Sequence, residues 1–155
     1  VRAHPGARVS AEINVDRGLE QMREALSRLA RAPLANLLEQ LGADLESGAR
    51  RRLTVEKKGP DGEAWPAWSA AYAASRPPKG GLLELSGDLI DSIRWELEGL
   101  TVAVGSPQVY ALTHQVGDPA RGIPARPYLG VSDADADAMQ ATADQWIASV
   151  MEGRA

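Results

Sequence analysis

The sequence predicts an α+β fold: a small antiparallel sheet of about four strands packed by two long helices, with a C-terminal helix and long loops. Three observations carry this. Residues 8–15 and 93–104 alternate apolar and polar side chains with the period of a half-buried strand. Residues 17–53 and 132–152 repeat apolar positions at helical spacing. Strands and helices do not alternate as a parallel sheet requires. At 155 residues the chain fits a single domain, 1–155, burying roughly 70% of its unfolded surface.

In the first strand, 8–15, Val9, Ala11, Ile13 and Val15 alternate with Ser10, Glu12, Asn14 and Asp16. Leu19, Met22, Leu26 and Leu29 then share a helical face, with Asp16 placed to cap the helix and Pro33 to end it. The stripe Leu34, Leu37, Leu38, Leu41, Leu45, Ala49 and Leu53 predicts the central helix and completes the helical pair 17–53. Arg50, Arg51 and Arg52 stand where its macrodipole favours cations. Burying its six leucines would contribute on the order of 10 kcal/mol. Residues 54–81 read as a loop with one short helix, capped by Ser69 and running to Ser75. The polar part of that loop, Glu56 to Ala64, holds the turn signal Pro60-Asp61-Gly62 and reads as mobile.

Within 82–131, Ser86 is placed to cap a short helix that carries Leu89, Ile90 and Ile93 inward. Ile93, Trp95 and Leu97, then Leu100, Val102 and Val104, predict a hairpin turned at Glu98 and Gly99. Val109–Val116 follows as a short helix, Gly117–Pro127 as a Gly- and Pro-rich crossing, and Tyr128–Val131 as a last strand. Ser132 and Asp135 resemble a capping box at the head of the C-terminal helix, 132–152. Its inner face is Met139, Ala143, Trp146, Ile147 and Val150.

Composition removes several function classes. Seventeen Lys and Arg against 21 Asp and Glu leave a net charge of −4, with no basic excess for nucleic acid or anionic lipid. The absence of Cys excludes disulfides, thiolate nucleophiles and Cys-based zinc or iron-sulfur sites. No window reaches the roughly 20 apolar residues of a membrane helix, so a soluble protein is expected. Neither a phosphate-binding G-x-x-x-x-G-K-[ST] loop nor a G-x-S-x-G nucleophile elbow occurs. Of the two His, His4 and His114, the second sits beside Gly117 without a local nucleophile or orienting carboxylate, and reads as structural. Asp133, Asp135 and Asp137 lack the Gly and Glu of a Ca²⁺-binding loop and read as carboxylates at a helix N-terminus. No catalytic, cofactor-binding or metal-ligating residue is therefore expected, and no cofactor.

Lys57, Lys58 and Lys79, or Arg50 to Arg52, are the candidates for phosphate contact; on an acidic chain they read first as solvated charge. Trp65 and Trp68 flank the longest loop in a chain without Phe. Such tryptophans more often anchor a core or an interface than stack bases.

Four separated phrases stand out along the chain. Pro60-Asp61-Gly62 with Trp65 and Pro66 forms the first, and Leu85-Ser86-Gly87-Asp88-Leu89 with Ser92 and Ile93 the second. Tyr110, Ala111, His114, Gln115 and Gly117 form the third. The fourth is Ile123-Pro124-Ala125-Arg126-Pro127-Tyr128-Leu129-Gly130 with Ser132 and Asp133. Together these phrases resemble the Mu-like phage virion morphogenesis proteins, and they run in that family's order from about Leu34 to the C-terminus. Tyr128 stands where Phe is usual, Ser86 where Thr is frequent and Val116 where an aromatic is common.

The resemblance implies a structural virion protein, not an enzyme, made in the bacterial host cytoplasm and carried at the neck or tail top. There it would act as a tail-completion, terminator or head-tail connector protein. It implies a homo-oligomeric ring, a hexamer favoured, touching neighbouring neck and tail-tube proteins, with DNA at most passing through the lumen and no membrane partner. Interface residues expected on this basis are Lys57, Lys58, Pro60, Asp61, Trp65, Trp68, His114, Arg126 and Tyr128, with Arg50, Arg51 and Arg52 along the DNA path. Lys57–Trp68 and Gly117–Pro127 would be contact loops, so truncating 56–63 should spare the fold and block assembly. The alternative is a monomeric adapter or assembly factor for another phage or host protein.

Overall fold

The structure, a computed structural model, describes residues 15–78 and 80–154. The expected strand at 8–15 lies outside them apart from Val15, which opens a helix. Helix α1 spans Val15–Arg31, one residue ahead of the Asp16 assigned to cap it, and Pro33 separates it from α2, Leu34–Arg51. A π-helical turn, Arg52–Glu56, extends α2 and ends on Lys57, which adopts a left-handed φ of 53°. Helix α3, Ala70–Ser75, is capped as expected by Ser69, whose hydroxyl accepts from the Tyr72 N–H at 3.3 Å. Helix α4 spans Asp88–Ser92, and Gly87, not Ser86, holds its N-cap position. Strands β1, Arg94–Glu98, and β2, Thr101–Gly105, form the hairpin. Helix α5 is Ala111–Val116 and helix α6 is Asp133–Met151.

The sheet is smaller than expected. Among the described residues it consists of β1 and β2 alone, antiparallel, with Trp95 opposite Val104 and Glu98 opposite Thr101. Tyr128–Val131 bends at Leu129 and Gly130 and forms no strand, because side chains occupy its backbone groups. Gln115 Oε1 accepts from the N–H of Tyr128 and of Leu129, each at 3.0 Å, and Gln115 Nε2 donates to the Leu129 carbonyl. Arg52 takes the carbonyls of Tyr128 and Gly130. A segment whose polar groups are satisfied this way gains nothing from a ladder.

The chain divides into two compact units. In one, formed by the chain up to Ala32 together with Ile147 onward, Ala25 and Val150 are buried and Arg28 donates to the Met151 carbonyl at 2.8 Å. Leu19, Met22 and Leu26 of its α1 stripe are more than half exposed. In the other, Pro33–Trp146, the core gathers Ala49, Leu53, Trp65, Leu89, Ile93, Ala111 and Tyr128.

Helix α2 packs against both strands of the hairpin, yet its leucine stripe is not what it buries. Leu34 is exposed, four further leucines are half-buried, and of the six only Leu53 is fully inside. The fully covered positions within α2 are Gly42, Gly48 and Ala49. A Cβ on Gly42 would lie 2.8 Å from the Trp95 ring, and one on Gly48 would collide with the Asp135 carboxylate. Small residues here set how closely neighbouring elements approach. No helix among the described residues is long and apolar enough to cross a membrane.

Candidate functional site: a stitched loop cluster and its groove

The longest loop is built, not loose. Lys58 and Ala64 form an isolated bridge, the Trp65 N–H donates to the Lys57 carbonyl at 3.1 Å and the Gly59 N–H to Glu63 at 2.8 Å. Gly62, at φ 84°, makes the turn while Asp61 Oδ1 accepts from the Glu63 N–H. Lys57 is not solvated charge: it pairs with Glu84 at 2.8 Å and donates to the carbonyls of Leu53 and Leu82. Lys58 and Asp61 are exposed, and Pro60 packs beneath Gly130, where a Cβ would come within 2.7 Å of the proline ring.

The two expected contact loops, Lys57–Trp68 and Gly117–Pro127, are joined to each other within one chain. Trp65 is buried, and its Nε1 donates to the Pro127 carbonyl at 2.9 Å. Arg126, only 5% exposed, donates Nε to Pro66 and Nη2 to Ala67, at 2.8 and 3.0 Å. Its backbone N–H donates to the His114 carbonyl at 2.7 Å. Gly117 closes this corner at φ 79°, and a Cβ there would meet the Ala125 nitrogen at 2.7 Å. Tyr128 is buried, its hydroxyl donating to the Ala111 carbonyl at 3.2 Å, and burial with the neighbouring Tyr110 pushes it up to about 12. Trp68 stays half-exposed under the guanidinium of Arg76, 3.6 Å from the ring centre.

The three consecutive arginines are each paired with a carboxylate, and Arg52 is buried. Arg50 pairs with Glu46 at 3.0 Å and donates to the Ile93 carbonyl. Arg51 bridges Glu56 and Asp135 at 2.6 and 3.0 Å; its hydrogen bond to Glu56 raises its pKa, followed by the Asp135 contact. Arg52 is fully buried against Asp135. Arg52 therefore does not offer its guanidinium to the DNA path that the resemblance implied, and its side chain belongs to the interior. Asp135 also closes the capping box, accepting from the Ser132 N–H at 2.9 Å while Ser132 Oγ accepts from its own N–H at 3.2 Å. Burial raises its pKa, but the hydrogen bonds from Ser132 and Arg52 win and hold it at about 2.

A groove opens between residues 67–76, 81–89 and 110–126, with a volume near 1110 Å³. His114 and Arg126 both line it. His114 Nδ1 is buried without a hydrogen bond, its ring meets Tyr110 edge-on at 5.8 Å, and burial, reinforced by the Arg126 charge, lowers its pKa. Chain periodicity could not reveal this groove, since its walls come from three separate segments. Its one sequence signal was Trp68 beside a Gly- and Pro-rich stretch. Among the described residues no three His, Cys, Asp or Glu cluster as a metal site would need.

The phrases quoted from the sequence thus converge. Pro60 meets Gly130, Trp65 meets Pro127, Arg126 meets His114, and Leu89 and Ile93 share a core with Ala111 and Tyr128. A model of the phage virion morphogenesis family matches residues 16–148. The chain belongs to that family. A protein of Escherichia phage Mu described as putative capsid assembly protein G is 30% identical over 135 residues, covering 79% of this chain and 86% of that one. No solved structure matches the chain. In this member of the family the quoted phrases are architectural: each supplies a turn glycine, a core side chain or a stitch between the two loops.

Proposed function

We propose that the chain is a structural component of the phage virion that forms a ring, a hexamer favoured, at the neck or tail top, where it completes the tail and joins it to the head. The observation that carries this is the family match across 16–148. The Mu relative's description as a capsid assembly protein supports an assembly role in the same particle. The stitched loops add a physical reason: a rigid, preformed surface repeats the same contact from subunit to subunit without an ordering cost. The ring's neighbours are further neck and tail-tube proteins, and DNA passes it without being held.

Electron microscopy of particles made without this gene tests the reading. Full heads beside separate tails are expected. Tails of abnormal length would move the protein to the termination of tube growth, and malformed heads would move it to the capsid. Intact, joined particles would overturn the proposal.

A further inference from the structure

At about 1110 Å³ the groove lies at the upper end of the roughly 300 to 1,000 Å³ of small-molecule sites, with room for a short peptide segment. Its wall includes Trp68, Tyr72, Leu85 and Val116, of which Tyr72, Leu85 and Val116 remain 46%, 46% and 62% exposed. Beyond Val116 the apolar surface continues along α5 through Leu112. Uncovered apolar surface of this kind marks a contact site. Arg126 gives the groove its chemistry. Its Nε and Nη2 are spent on carbonyls, its Nη1 carries no hydrogen bond, and no carboxylate pairs with it among the described residues. A nearly buried cation without a counter-ion is costly. A carboxylate carried next to an apolar side chain would relieve that cost and cover the wall. Arg76 also lines the groove, as does Arg121, which is paired with Asp118 at 2.6 Å, and the one lining carboxylate is Asp88.

The same chain carries a matching segment. At the tip of the hairpin Glu98 is exposed and in no ion pair among the described residues, Gly99 turns at φ 60°, and Leu100 is 73% exposed. Glu96, also exposed and unpaired, adds a second carboxylate on β1. No hairpin residue lines the groove, so one copy can present its tip while its own groove stays open.

We propose that the hairpin tip, Glu98 to Leu100, docks into this groove of a second copy of the chain, with the Glu98 carboxylate on Arg126 and Leu100 against Tyr72 and Leu85. The inference deepens the ring reading and rests on it. Donor and acceptor patches differ, so the contact is head-to-tail, the kind that closes a ring when the rotation per subunit allows. Strands of five residues give the tip a reach of roughly 16 Å.

Thiol cross-linking of the full chain tests it, because the sequence has no Cys. The double variant Leu100→Cys, Leu85→Cys should give a covalent ladder up to the closed ring on oxidation, while each single variant stops at or before a dimer. Glu98→Lys, at an exposed turn, should keep the wild-type circular dichroism and raise the concentration for half-assembly by about 30-fold, the weight of one hot-spot contact. Wild-type rings with no ladder and unchanged Glu98→Lys assembly would overturn the docking and leave the ring standing. A wild-type chain that stays monomeric, alone and with purified tails, would overturn both.

Discussion

Arg52 is the residue on which the larger unit turns. Its guanidinium joins Asp135 on α6 to the carbonyls of Tyr128 and Gly130, tying the end of α2 to a segment that has no ladder of its own. Removing the carboxylate with Asp135→Ala strands a buried cation, a loss of about 3 to 5 kcal/mol that urea denaturation will measure. The pH dependence has a definite sign. Folding depresses the Asp135 pKa from 3.8 to about 2, so the ionised form belongs to the native state. Its contribution is complete above the unfolded value and is lost as pH falls toward about 2. Melting curves should show this acid limb in the wild type and a flatter one in Asp135→Ala. His114 acts in a separate window. Its lowered pKa means that the native state holds the neutral ring, so its contribution is complete above the ordinary value of about 6.5 and declines as pH falls below it. NMR titration of the ring should report a midpoint below that value, and His114→Asn should remove this first decline while leaving the carboxylate limb.

At the scale of elements, the hairpin and the break at Pro33 were legible because each is set by neighbours in sequence: alternation with a Gly turn, and a proline between two helical stripes. The last strand was not. Tyr128–Val131 has the composition of a strand, but its partners are the side chains of Gln115 and Arg52, which no periodicity records. The leucine stripe of α2 misled for a related reason, since the closest approaches fall on Gly42 and Gly48, where absence of a side chain is the signal. The loop 56–63 illustrates the same lesson and changes an expectation. Its Glu56 pairs with Arg51, its Lys57 clamps Glu84 and Leu82, and its Pro60 seats under Gly130. Deleting 56–63 should therefore lower the stability of the chain itself, by about 2 to 4 kcal/mol given the ion pairs and packing removed. Chemical denaturation of the deletion variant checks this, and an unchanged midpoint would restore the picture of a free contact loop.

For the whole molecule, charge decides what the arginines can do. Sequence spacing displayed Arg50, Arg51 and Arg52 as a basic run, but the structure sets Glu46, Glu56 and Asp135 against them, and only Arg51 keeps a side chain as much as 41% exposed. A subunit of net charge −4 would give a hexamer about −24 over its surface. Such a ring would repel a duplex at long range, and the arginine run, paired with carboxylates, is poorly placed to displace counterions from phosphate. The purified chain should therefore leave duplex DNA unshifted in a gel at physiological salt, and Arg51→Glu should change nothing. Were DNA bound, the logarithm of the binding constant would fall with the logarithm of salt at a slope of about −0.9 per phosphate contacted. A slope of several contacts, reduced by about one contact in Arg51→Glu, would show that the cluster opens on assembly and faces the DNA. A flat response would leave those arginines to their pairs with Glu46, Glu56 and Asp135.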